Sequence, residues 1–167
     1  MLNYMEENLM KKGILSVLSM LIGGLVATGI AEKRNRKKIN DAWKMSEKHL
    51  NLLIMMSEWV RIKQEGKNIS DYLKQNNYKT VAIYGMSYVG ERLLKELQDS
   101  DVDVKYAIDK KADERYSEVD IYLPDEELEK VDVIIVTAIT FMDEIEKMLS
   151  EKVECPIISL EDILYEI

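Results

Sequence analysis

Apolar and polar residues follow three different periods along this chain, and each period predicts a different element. Residues 13–31 (GILSVLSMLIGGLVATGIA) form an apolar run without a single charge. As a helix at about 1.5 Å per residue the run reaches roughly 28 Å, close to the thickness of a bilayer's hydrocarbon core. Residues 39–65 then hold neither Pro nor Gly, and Ala42, Met45, Leu52, Leu53, Met56, Trp59 and Val60 recur at helical spacing. One long amphipathic helix is expected, with His49 on its apolar face and Gly66 as its C-terminal stop. Asn68 and Asp71 suit the start of a short helix over ISDYLKQNN.

From Thr80 onward the period shortens to that of strands alternating with helices. Residues 80–94 (TVAIYGMSYVGERLL) read as a strand buried on both faces, then a glycine turn at Gly85. A helix follows, with Val89, Leu93, Leu94 and Leu97 on one face. Further strands are expected over residues 102–108, 119–123, 131–138 and 156–160. Helices are expected over DEELEK after Pro124, over FMDEIEKMLSEK with Phe141, Ile145, Met148 and Leu149 inward, and over EDILYEI. Strands in this rhythm imply right-handed crossovers and a parallel sheet. The expected fold class is therefore α/β, a Rossmann-like five-stranded parallel sheet of order 3-2-1-4-5. It is preceded by an N-terminal transmembrane helix and the long amphipathic helix. The flavodoxin-like strand order is the alternative. The corresponding divisions are residues 1–12 as a short tail, 13–31 as the span, 32–66 as basic segment and long helix, and 67–167 as the Rossmann-like domain.

Charge sharpens this division. Residues 1–67 carry a net charge of +5 and residues 68–167 a net of −13. So acidic a C-terminal domain argues against a surface that tracks nucleic-acid phosphates. Lys33, Arg34, Arg36, Lys37 and Lys38 follow the apolar run at once, against Lys11 and Lys12 before it. The positive-inside rule then leaves the C-terminal domain in the cytoplasm of a single-pass membrane protein. A cleaved signal peptide is the competing reading, with Ala-Thr-Gly-Ile-Ala as its cleavage region, but the run is long and ends in a stop-transfer-like basic cluster. Ser19, Gly23 and Ala27 form a small-xxx-small stripe that would let two such helices pair, so a homodimer is a candidate state.

Residues 79–167 resemble the small Rossmann-like modules of bacterial surface-polysaccharide enzymes, through IYGMSYVGERLL, then YAID, then VIIVTA. Such modules include the nucleotide-sugar-binding domains of sugar acyltransferases and the NAD-binding domains of membrane-bound sugar dehydratases. The resemblance implies a nucleotide ligand, NAD-type or nucleotide-sugar, at the turn of Gly85, Met86, Ser87 and Tyr88. Gly85 takes the first glycine position of G-x-G-x-x-G and Gly90 the third, while Ser87 stands at the second. A serine there departs from the dinucleotide pattern and offers a hydroxyl to a phosphate instead. Asp109, 24 residues after Gly85, stands where an acid would bind ribose hydroxyls. Lys110 and Lys111 follow it, Thr137, Ala138 and Thr140 would border the pocket on its far side, and Tyr88 would lie over it.

Chemistry is harder to find. Tyr106 and Lys110 have Tyr-x-x-x-Lys spacing but straddle a strand end. Glu126, Glu127 and Glu129 read as a solvated face. Cys155, the single cysteine, sits in an apolar VECPIISL context and reads as a buried thiol. No metal site is expected, and fold alone licenses no reaction. Three roles follow from the sequence: a nucleotide-binding module serving glycan assembly, a subunit of a nucleotide-sugar-modifying enzyme completed by a partner, or a ligand-free scaffold for protein–protein contact.

Overall fold

The computed structural model of the chain describes residues 2–112 and 117–167, with side chains from Glu32 onward. Helix α1 (Leu2–Gln64) is followed by α2 (Ile69–Gln75), β1 (Thr80–Tyr84), α3 (Tyr88–Gln98), β2 (Asp103–Ile108) and β3 (Ile121–Tyr122). Then come β4 (Val133–Val136), α4 (Met142–Leu149), β5 (Ile157–Ser159) and α5 (Leu160–Glu166). The chain divides into two compact units, Met1–His49 and Leu50–Ile167.

The first unit is helical. Its described side chains are exposed throughout, His49 included, so that imidazole is not packed within the unit. The basic residues run on within α1 without a break, and Arg36 pairs with Glu32 at 2.7 Å. The expected span, residues 13–31, and the tail before it have their side chains outside the described residues. Among the described residues no helix is long and apolar enough to cross a membrane.

The second unit is an α/β fold whose five-stranded sheet has the order β3-β2-β1-β4-β5, every neighbouring pair parallel. β1 sits at the centre because it and β4 are the most continuously apolar runs, and only the middle of a sheet is covered on both faces. Alternation along β1 divides the core. Val81 and Ile83 face Leu93 and Leu97 of α3, Ile69 and Leu73 of α2, Leu160 and Ile163 of α5, and the C-terminal part of α1. Ala82 and Tyr84 face the other layer, with Tyr106, Ile108, Ile134, Val136, and Ile145 and Leu149 of α4.

Three expectations are corrected. The buried stripe of α1 within this unit is Met55, Trp59 and Ile62, while Leu53 and Val60 are exposed. Residues 125–130 form no helix: beyond Leu128 the segment DEELEK has no apolar residue to bury, and it crosses as a loop. Phe141 ends a short 3-10 turn (Ile139–Phe141) and is exposed, leaving Ile145 and Leu149 to bury α4. Gly66 does terminate α1, at φ +74, as the Lys67 N–H reaches back to Ile62 O at 2.9 Å. Asn68 precedes α2 without a side-chain cap; its oxygen accepts from Lys63 Nζ at 2.6 Å instead.

Candidate functional site

The β1–α3 turn lies at the carboxyl end of the central strand, beside the point where strand order reverses between β1 and β4. In open parallel sheets this is where ligands bind. Gly85 has φ +97, a conformation that L side chains avoid, and a Cβ on it would stand 2.7 Å from Thr137 Oγ1. Gly90 is needed for a different reason. A Cβ there would fall 2.1 Å from Gly85 O, so α3 packs directly onto the turn's backbone. The first and third glycines of the motif thus have distinct steric causes.

The turn is pinned from both neighbouring strands. Gly85 N–H donates to Ile108 O at 2.8 Å, and Thr137 N–H donates to Tyr84 O at 2.9 Å. The Thr137 hydroxyl, buried, lies within hydrogen-bond distance of Gly85 O at 2.6 Å and Tyr84 O at 3.1 Å. Thr137 therefore faces the turn, and a Cβ on Gly85 would also stand 3.4 Å from Ala138.

Asp109 is drawn into the turn. Its Oδ2 accepts the Met86 N–H at 2.8 Å and its Oδ1 accepts the Lys111 N–H at 2.9 Å. The carboxylate is buried, and it sits next to an amide that a phosphate would otherwise approach. A second negative charge close to Met86 N is disfavoured by the same carboxylate. Lys110 and Lys111 are exposed at the end of β2.

The remaining turn residues split by exposure. The Met86 side chain is buried in the core, Ser87 is the exposed N-cap of α3 with no side-chain cap, and Tyr88 is 82 % exposed, standing in solvent. The N–H groups of the first helical turn have no partner within the helix, which favours an anion there. The concavity beside Met86 measures about 170 Å³ and is lined by Glu91, Leu94 and Ser117 among others. That is below the roughly 300–1,000 Å³ of enclosed ligand sites, so a nucleotide would lie along the open strand ends. A larger concavity of about 460 Å³ lies at the amino ends of the strands, where Leu128, Val131, Asp132 and Cys155 meet. Burial pushes the Cys155 thiol above its ordinary range. Among the described residues no group of three or more His, Cys, Asp or Glu side chains is placed to hold a metal ion.

One polar group was read from the sequence only as part of the strand. Tyr84, the last residue of β1, is buried, and its Oη has no hydrogen-bond partner among the described residues. Burial first, and then the charge of Asp109, hold the phenol above its ordinary pKa. The legible signal was a polar-tipped aromatic closing an otherwise aliphatic strand at the ligand end of the sheet.

Comparison with protein-family models, with curated proteins and with solved structures returns no match.

Proposed function

We propose that the Rossmann-like unit binds a nucleotide, NAD-type or nucleotide-sugar, across the carboxyl ends of β1 and β2. In this reading residues 13–31 hold it at the cytoplasmic face of a membrane as an accessory to surface-glycan assembly. The observation that carries the ligand is the Tyr84 hydroxyl, which has no hydrogen-bond partner among the described residues: it belongs to the last residue of the central strand, and its phenol feels the charge of Asp109. An unsatisfied buried hydroxyl costs about 1–3 kcal/mol, and a ligand or water that accepts its proton removes that cost. Asp109 supplies acceptors for ribose hydroxyls, and the exposed start of α3 at Ser87 supplies donors for phosphate. Ser87 in place of a second glycine, with Asp109 already on Met86 N–H, favours phosphate over the helix start and away from Met86. The resemblance to surface-polysaccharide modules and the basic cluster after residue 31 support the setting.

A second reading, a ligand-free scaffold, is favoured by one observation: both Asp109 oxygens already accept backbone amides. Calorimetry on the full chain in mild detergent separates the two, with NAD, NADP and UDP-sugars as titrants. The nucleotide reading expects heat with at least one of them. It also expects Tyr84→Phe to weaken binding several-fold while the folded chain gains stability, because the substitution deletes only the orphaned hydroxyl. Absence of heat with every nucleotide on folded protein refutes it and leaves the scaffold.

A further inference from the structure

Between Leu50 and Gln64 the helix α1 is apolar on two opposite sides. Met55, Trp59 and Ile62 are buried against the sheet layer. At roughly 100° per residue, Leu50, Leu53, Ser57 and Val60 fall on the reverse side. There Leu50 is 55 % exposed, Leu53 65 % and Val60 53 %. Their spacing is three, four and three. The same alternation continues upstream in the sequence through Ser46, Trp43 and Ile39, of which Trp43 and Ile39 are also exposed large apolar residues.

A seam that repeats every 3.5 residues, where a straight helix turns every 3.6, stays in one line only if the helix supercoils around another. Within this unit Leu50, Leu53 and Val60, with Ile54 on the flank, stay exposed on the side of α1 away from the sheet. In a parallel alignment the flanking pairs are Ala42 with Glu47, His49 with Ile54, and Met56 with Arg61, and none sets like charges face to face. A lipid surface is a poorer occupant, since it wants a basic rim, whereas Glu47, Glu58, Lys48 and Arg61 mix both signs.

We propose that this seam is the interface between two copies of the chain, paired in parallel through Leu50 and Leu53 with Ser57 opposite Ser57. The proposal stands apart from the nucleotide reading and does not need it. Light scattering and sedimentation of the full chain in mild detergent test it. Wild type is expected to be a dimer. Leu50→Glu with Leu53→Glu is expected to be a monomer with unchanged circular dichroism and a melting temperature that no longer depends on protein concentration, since both side chains face away from the domain core. Lys44→Glu, off the seam, stays dimeric. Ser57→Cys in a Cys155→Ser background is expected to form a disulfide-linked dimer on mild oxidation. A monomeric wild type overturns the proposal, as does a dimer that survives the double glutamate substitution, which would place the contact elsewhere. A dimer without the Ser57→Cys cross-link overturns the parallel alignment.

Discussion

Gly90→Ala sets two physical effects against each other, and the structure says which wins. Gly90 lies within the first turn of α3, and alanine in a helix is favoured over glycine by about 1 kcal/mol. On propensity alone the variant gains stability. Its new Cβ, however, would sit 2.1 Å from Gly85 O, 3.0 Å from Gly85 C and 3.3 Å from Met86 Sδ. The sulfur can give way; the backbone must move by about 1 Å to restore an ordinary contact, and such overpacking costs about 1–3 kcal/mol or more. Gly85 cannot recede without cost, because its N–H is tied to Ile108 O, its oxygen is bonded by Thr137, and the next amide holds Asp109. Losing one of those bonds adds about 1 kcal/mol. Set against the propensity gain, the net expectation is destabilisation by about 1–3 kcal/mol, a fall in Tm on the order of 10 °C for a domain of this size. Thermal melts and urea titration of the purified chain check it. Gly66→Ala is the control: nothing lies within 4 Å, so only its φ of +74 resists, at about 1 kcal/mol. A Gly90→Ala chain as stable as wild type, or one less affected than Gly66→Ala, would refute the close approach of α3 to the turn.

Two further outcomes are expected. The Glu96 carboxylate joins three helices, accepting from Trp59 Nε1 at 2.8 Å and Ile69 N–H at 3.2 Å, with Lys63 Nζ at 3.0 Å. Glu96→Ala orphans two of these donors in a half-buried place and is expected to cost about 2–3 kcal/mol in urea unfolding, with Trp59→Phe costing less; a loss below 1 kcal/mol would contradict it. Asp132 clips the start of β1, its Oδ2 accepting the Lys79 and Thr80 N–H groups at 2.8 and 2.7 Å, and these bonds hold its carboxyl below the usual range. With the folded pKa lowered, the unfolded chain takes up the proton first as pH falls, so this contribution is whole above about pH 4 and lost below it. Melting temperature followed from pH 6 to 2.5 should fall less steeply for Asp132→Asn than for wild type, and parallel slopes would remove Asp132 from the account.

The legible parts of this chain were those with a single local solution. Val81 to Tyr84 followed by Gly85 reads as strand and turn, because a buried strand that must reverse into a helix needs a residue tolerant of φ +97. The β3-β2-β1-β4-β5 order was expected from strands alternating with helices through right-handed crossovers, with the flavodoxin-like order as the alternative that the structure does not adopt. DEELEK was misread because acidic residues after a proline suit a helix start, yet a helix with almost nothing to bury gains little from packing.

Other features were undetermined until the pieces met. α1 carries two apolar stripes on opposite sides, and periodicity weighs them equally; only the sheet's own surface selects Met55, Trp59 and Ile62 over Leu53 and Val60. Asp109 was placed by counting residues, but its carboxylate turns onto the Met86 amide because a buried charge takes the nearest donors. Tyr84 and Thr137 read alike as strand-end residues, and their difference is tertiary: Gly85 O lies within reach of one hydroxyl, and among the described residues no partner lies within reach of the other. Sequence determined the order of elements, since burial and turn sterics act between neighbours along the chain. The fold decided where each polar atom found its partner, since those partners lie some twenty to fifty residues away.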